Sequence, residues 1–503
     1  MTMTANDLPT TEAIALVSAP APYVLAIDIG SGSTRCSLYD AYARPIRKRI
    51  AKADHRFVEE ADGTAEIDAD LIVAEVADLI GQVVDGVEPG LIRAVVMDTF
   101  ASSLVCVDAD GAALTPCYTY ADSRSARHLA ELRTRLDETE VHQRVGTRLH
   151  TSYHPPRLLW LQDEQPDVFA RTAKFLSLGE YVYAKLAGVE GAATSTMAWA
   201  GILNRHTCEL DDELLAAVGV DRSRFAPIVD PDEPITAVSP DVARRWPALE
   251  GAAWFPAVPD GYASNVGVGA SAPEVAAMSA ATSGAIRVIV DGTPDVLPSG
   301  LWAYRISRTQ SIIGGALNDV GRVTLWLQAT LAPLSYDEVD MLLRAAPAEG
   351  TPLMLPFLTG ERATGWAGSA RAALTGVSSA SGPRELWRGA AEGIAISYQR
   401  VFEQLREVSP GIERVIGSGG VAGAFPAMMS VIAQALGFPV QVVNVKRVTM
   451  RGAAAIALSV LQPEHPLAII PQTDRTEPDA GQRAYYDDLR RRFDEAYAAI
   501  IAG

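Results

Sequence analysis

The chain of 503 residues carries 43 Lys and Arg against 61 Asp and Glu, a formal charge of −18, with 48% hydrophobic and 21% charged residues. That length exceeds what one core serves, so two domains of about 200–250 residues are expected, and the composition excludes a disordered, collagenous or membrane chain. The acidic balance opposes nonspecific binding to nucleic acid or anionic lipid, so an anionic substrate must be met by local backbone donors, a metal or selected arginines.

Cys36, Cys106, Cys117 and Cys208 are widely spaced and form no C-x-x-C pair, which indicates neither a disulfide framework nor a zinc site and fits a reducing cytoplasm. Residues 1–22 are expected to be a disordered tail. Asp7 and Glu12 stand where a signal peptide would be basic, and no apolar run reaches the roughly 18 residues of a membrane span.

Tyr23-Val-Leu-Ala-Ile-Asp-Ile-Gly30 reads as a buried strand, Ser31-Gly-Ser-Thr34 as a turn and Arg35 to Asp40 as a second strand. A Walker loop would run into a helix and contain Gly-Lys, a dipeptide this chain lacks. A helical pattern over Leu71 to Val84 precedes strands at Ile92 to Met97 and Leu104 to Asp108, an alternation that predicts an α/β domain. Helical patterns dominate from Ser125 to Leu215, and a Pro-rich stretch from Pro227 to Pro247 leads to the segment Trp254 to Gly261, just beyond which the domain junction is expected. Strands resume at Ala285 to Val290 and Ser311 to Ile313, followed by a helix over Glu385 to Leu405 and a strand-plus-glycine unit at Arg414 to Gly420.

In Asp28-Ile-Gly-Ser-Gly-Ser-Thr-Arg35 the glycines let backbone N–H groups approach phosphate oxygens, and Asp28 at a strand end suits a hydrated Mg²⁺. A plain hairpin turn has the same composition. Ala281-Thr-Ser-Gly284 with Gly321, and Gly417-Ser-Gly-Gly420, are two further Gly-rich loops. Each alone is a turn; three at inferred strand ends in two halves suit a nucleotide in an interdomain cleft. Asp260 is placed to accept a hydroxyl proton during phosphoryl transfer, although an Asp at a turn also serves as a cap. Tyr120-Ala-Asp-Ser-Arg124 is a polar cluster for a hydroxylated or carboxylated substrate, and a surface salt bridge would use the same residues.

Together these segments, with Thr282-Ser-Gly284 and Pro356-Phe-Leu-Thr-Gly-Glu-Arg362, resemble the FGGY carbohydrate kinases over nearly all of residues 23–460. The resemblance implies two ribonuclease-H-like domains of the actin-like ATPase kind around an interdomain cleft, residues 23–265 binding sugar and residues 266–503 binding nucleotide. It implies ATP and Mg²⁺ as cofactors, with Asp260 as catalytic base and Asp28 organising the metal. Ser31, Gly32, Ser33 and Arg35 would face the terminal phosphates, and Thr282, Gly321 and Gly420 would contact the nucleotide. Thr99, Ser102, Tyr120, Asp122, Arg124, Tyr153 and His154, with Asp260, would bind the substrate, the segment Asp98 to Ser103 lining the sugar pocket. The stretches Val141 to Trp160, Leu176 to Tyr181 and Thr194 to Ala198 look most like the gluconokinase branch. The expected reaction is therefore D-gluconate to 6-phosphogluconate, with Arg124, then Arg157, as partner for the carboxylate. A pentulose or polyol kinase (xylulose, ribulose, erythritol) and a noncatalytic sensor of the same fold are the alternatives. No nucleic acid or membrane partner is expected, and a homodimer is carried over from relatives.

Three departures stand out. Pro259 and Ala281 replace glycines common in the family, and Thr364 replaces a frequent proline. A Cβ at position 281 would push a nucleotide back if that backbone needs positive φ.

Overall fold

The computed structural model describes residues 8–501 except Thr236, Asn444 and Asp474. Strands β1 (Tyr23–Ile29), β2 (Ser33–Tyr39) and β3 (Pro45–Asp54) form an antiparallel meander. Helix α1 (Ala69–Val84) is capped by Asp68, whose side chain accepts from Asp70 N and Leu71 N, and its Ile72, Val76, Leu79, Ile80 and Val83 pack on the sheet. That spacing is one face of a helix. Strand β4 (Ile92–Thr99) returns parallel to β1, helix α2 (His154–Glu164) lies in the helical middle region, and short strands β5 (Ala253–Trp254) and β6 (Val258–Pro259) pair parallel to β4. The order is β5-β4-β1-β2-β3.

All seven residues of β1 are buried because helices cover both faces of the sheet. Leu25, Ile27 and Ile29 face α1, while Val24 and Ala26 face the other layer. Helix α3 (Asp260–Gly267) leaves this domain directly from β6.

The second sheet repeats the plan. Strands β7 (Val275–Ala280), β8 (Gly284–Asp291), β9 (Trp302–Arg305) and β10 (Gln310–Leu317) are antiparallel neighbours. After helix α4 (Pro383–Val408), strand β11 (Arg414–Ser418) pairs parallel to β7 and β12 (Val440–Val442) parallel to β11. The order β9-β10-β8-β7-β11-β12 matches the first sheet with one added edge strand. The likeness of the two halves, invisible as a literal repeat, is therefore topological.

The division expected near residue 265 is only the first of three crossings. Helix α5 (Val448–Leu461) returns to the first domain, where Met450, Ala453, Ala454 and Ala457 join the core beneath Val24 and Ala26. The following segment touches both domains: Ala468 N donates to Tyr42 O, and Gln472 and Thr476 bridge Val443 and Val440. Helix α6 (Arg483–Ile500) then buries Tyr486, Leu489 and Phe493 in the second core.

Of the tail expected over residues 1–22, residues 1–7 lie outside the described residues. The remainder is tied down rather than disordered, because Thr10 bridges Ile469, Ile14 bridges Ile46, and Ile14, Leu16 and Ala19 cover apolar surface of the first core. All four cysteines are buried free thiols. Among the described residues no helix is long and apolar enough to cross a membrane.

Candidate active site

The β1–β2 connection is a tight hairpin in which Gly30 N donates to Ser33 O at 3.0 Å and Ser31 and Gly32 are exposed. Nothing lies within 4 Å of where a Gly32 Cβ would stand, so the tip is open to a ligand. His55 braces it from beneath: Nε2 is 2.8 Å from Gly30 O, and Nδ1 is 3.0 Å from Glu75 Oε2, which also accepts from Thr34 Oγ1 at 2.9 Å. Sequence reasoning misses this brace, since a lone His in a polar stretch carries no pattern. Ser33 is buried, and Arg35 is opposite Asp28 in the antiparallel register, forming a 3.0 Å ion pair. Part of the cationic charge expected at the phosphates is thus balanced by Asp28.

Three carboxylates meet at the ends of β1, β4 and β6. Asp28 and Asp98 are direct partners across the parallel register, and Asp260 follows β6 as the first residue of α3. Burial pushes Asp28 up, opposed by Arg35. Burial, then the charges of Asp28 and Asp260, raises Asp98 further. Burial likewise lifts Asp260 to about 6, with Arg287 pulling it down and Asp28 adding to the rise. Asp98 is fully buried with neither carboxylate oxygen hydrogen-bonded, so it lies beneath the cleft and does not line it as expected of that segment.

Between the domains lies a cavity of about 280 Å³. Ser31, Ser102, Tyr120, Tyr153 and Asp260 line it, together with Phe100, Trp199, Trp302 and Tyr304. The Trp199 and Tyr304 rings stack at 3.9 Å, and Tyr153 Oη meets Tyr304 Oη at 2.7 Å across the domain boundary. Thr99 and His154 fall in a small adjoining cavity of about 10 Å³. His154 Nε2 is 3.1 Å from Ser103 O, and burial keeps the ring neutral, its pKa lowered to about 3.

Asp122 and Arg124 do not reach the cavity. Asp122 is buried and accepts from Ala65 N and Arg124, and Arg124 also pairs with Glu66 at 2.8 Å and lies over the Trp160 ring at 4.7 Å. The salt-bridge reading of these residues describes them, because both carboxylates already claim the guanidinium. Arg157, at the core-facing side of α2, is committed too, donating to the carbonyls of Thr151, Ser102 and Thr119. It staples three loops of the pocket wall.

Two other arginines line the cavity instead, both from the second domain: Arg287 and Arg362. Arg287 Nη1 is 3.2 Å from both Gly261 O and Ser264 Oγ at the foot of α3. The signal for Arg287 was a lone charge inside the apolar run of β8.

The loops expected to contact a nucleotide gather at one end of the second sheet. Gly321 N donates to Ala281 O at 2.8 Å, and Arg322 N to Thr282 O at 3.1 Å. A Cβ on Gly321 would stand 2.5 Å from Ala281 O, and one on Gly419, at φ +112°, 2.3 Å from Ala280 O. Thr282 and Gly420 are exposed beside this contact, and Ser279 and Ser283 continue it into the cavity.

Two domain models match the chain, those of the FGGY family of carbohydrate kinases, N-terminal domain over residues 23–267 and C-terminal domain over residues 276–460. The chain belongs to the FGGY family of carbohydrate kinases. It is 26% identical to a gluconokinase of Bacillus subtilis (strain 168), covering 80% of each chain. Its fold is similar to that of a gluconate kinase from Lactobacillus acidophilus (TM-score 0.89, 24% identity, 96% of this chain and 98% of that one). A ligand-bound xylulose kinase from the same organism is as similar (TM-score 0.88, 24% identity, 96% and 99%).

The departures of this FGGY chain from its family pattern fit their positions. Pro259 has φ −65°, the angle its ring imposes, and ends β6 ahead of a helix. Ala281 is absent from the residues with positive φ, so its Cβ meets no backbone penalty. Thr364 N donates to Glu361 Oε1 at 3.2 Å, a bond that proline could not make.

Proposed function

We propose that this FGGY kinase transfers the γ-phosphoryl group of ATP to a hydroxyl of a sugar acid, D-gluconate giving 6-phosphogluconate. The observation that carries the reading is the charge of the cavity. Its lining includes one carboxylate, Asp260, against two guanidinium groups, Arg287 and Arg362, in a chain of net charge −18. A local positive excess inside an acidic protein favours an anionic substrate.

Asp260 faces the cavity with Arg287 beside it, placed to accept the hydroxyl proton as the phosphoryl group leaves ATP. Asp28, at the cleft end of β1, offers a hard oxygen donor that suits Mg²⁺. Among the described residues no cluster of three or more His, Cys, Asp or Glu could hold a metal unaided, which accords with an ion that keeps waters and phosphate oxygens in its shell. When bound, Mg²⁺ would neutralise charge on the phosphates. The open hairpin tip at Ser31 and Gly32 offers backbone donors to the terminal phosphates, and Thr282, Gly321 and Gly420 form the nucleotide side. Aromatic walls exclude water, which limits ATP hydrolysis.

A pentulose or polyol is the second reading, supported by hydroxyl groups of Ser102, Ser152, Tyr153 and Tyr304 that would serve a neutral sugar equally well. A coupled assay of ADP release with D-gluconate, xylulose, ribulose and erythritol separates the two. Turnover with D-gluconate alone is expected, and rapid pentulose turnover without it overturns the first reading. ADP release with none of the four points to the noncatalytic alternative.

A further inference from the structure

Resting on the sugar-acid reading, we propose that Arg287 determines specificity: the Nε–Nη2 edge of its guanidinium holds the substrate's carboxylate by a two-point hydrogen bond. Arg287 rises from the middle of β8, where Ala285, Ile286, Val288 and Ile289 are buried, yet it is itself only half-buried, because it lines the interdomain cavity.

One corner of the guanidinium is occupied. Nη1 donates to Gly261 O and Ser264 Oγ, each at 3.2 Å, which fixes the plane of the group against the foot of α3. The three nitrogens radiate from one carbon in a flat fork, so the Nε–Nη2 edge faces the opposite way, away from α3. Among the described residues that edge has no hydrogen-bond acceptor, and its nitrogens are not sealed from solvent. Burial lowers the pKa of Arg287, and the charge of Asp260 opposes the shift. An anion on the free edge would offset the same desolvation, and a fork already held in place needs little reorganisation to take one.

The depth also suits a sugar acid. β8 starts at Gly284, beside the loop of Thr282, and Arg287 stands three residues further along the strand. That is about 10 Å at the ordinary rise of a strand, the span of an extended six-carbon acid whose far hydroxyl meets the phosphoryl group at the loop. The other arginines near the cleft do not compete. Arg35 pairs with Asp28, Arg124 with Asp122 and Glu66, and Arg157 with three carbonyls. Arg362 lines the cavity, but its Nε is sealed, Tyr153 already bonds its guanidinium, and it closes the segment Pro356 to Arg362 that resembles the family as a whole. Arg287 lies outside every segment that carries the family resemblance, as a residue that sorts one acceptor from another should.

The test is calorimetric titration of the full chain with D-gluconate, its neutral analogue D-glucitol, and ADP. Arg287→Met is expected to weaken D-gluconate by about 30-fold or more, with Arg287→Lys recovering part of the loss and D-glucitol and ADP each within about threefold of wild type. D-gluconate affinity within about threefold of wild type in Arg287→Met overturns the assignment. So does an equal loss of D-glucitol, which would make Arg287 a brace for α3, or an equal loss of ADP, which would give it to the phosphates. Should the variants fail to fold, or D-glucitol give no signal, a wild-type crystal with D-gluconate decides: a carboxylate about 3 Å from Nε and Nη2 supports the anchor, and a carboxylate elsewhere refutes it. The assay of ADP release keeps the two claims apart. D-gluconate turnover with a KM untouched by Arg287→Met refutes the anchor alone; D-gluconate binding through Arg287 without ADP release from any acceptor refutes the kinase reading alone.

Discussion

The proton-accepting role proposed for Asp260 needs its charged form, whereas its buried position favours the neutral one. Its pKa near 6 reconciles them at neutral pH, where most of the population is ionised yet still basic enough to take a proton. The acid limb of kcat/KM should therefore break near pH 6, activity rising with pH through that point. Asp260→Asn should abolish most phosphoryl transfer while ADP binding stays within a few-fold of wild type. The same substitution should stabilise the fold. Because folding raises this pKa, its contribution to stability is full below about pH 4 and is lost as pH climbs through 6. A gain of about 1–3 kcal/mol is expected in urea denaturation at pH 7.5, shrinking towards zero at pH 4. A constant gain across that range would assign the effect to packing instead of charge.

Single elements carry the site through close contacts that no motif describes. The hairpin tip hangs on His55, and His55→Ala should raise KM for ATP by about tenfold, because a tip free to shift by an ångström loses alignment with the phosphates. An unchanged KM would leave His55 a mere core residue. Where α3 crosses α5, a Cβ on Gly452 would stand 1.7 Å from Ala263 O, and one on Gly267 1.8 Å from Val448 O. Gly452→Val should cost more than about 4 kcal/mol or prevent folding, whereas Gly423→Ala, with nothing within 4 Å, should leave the thermal midpoint nearly unchanged.

At this scale the limits of sequence reasoning become physical. β1 and β8 were legible because buried strands there are β-branched runs, and α1 because its apolar face repeats at helical spacing. β7 was not, since Val275-Ala-Ala-Met-Ser-Ala280 lacks β-branched residues beyond its first. β3 was not, since Arg47, Lys48 and Arg49 mark an edge strand turned to solvent. Among site residues, Asp260 and the hairpin stood out by motif. Arg124 was expected at the substrate yet is paired outside the cavity, and Arg287 and Arg362, which line it, were given no role, because an arginine's availability depends on which carboxylates fold against it, a property of the assembled chain.

The two domains share more than the cavity between them. Tyr153 and Tyr304 join hydroxyls across it, and Arg205 of the first domain donates to Thr293 Oγ1 at 2.8 Å in the second. Any closing motion must keep or exchange these contacts. The three crossings add a covalent restriction of their own. Since α5 belongs to the second half of the chain but fills the core of the first domain, proteolytic nicking near residue 270 severs the polymer without severing the particle. The nicked protein should elute as one species in native gel filtration and part into two fragments only in denaturant. Early release of an N-terminal fragment under native conditions would mean that α5 is dispensable to the core it fills. Cleavage resistance in this enzyme is thus a matter of interlocking, and the N-terminal piece made alone should be an incomplete body, soluble only when the remainder is supplied in trans.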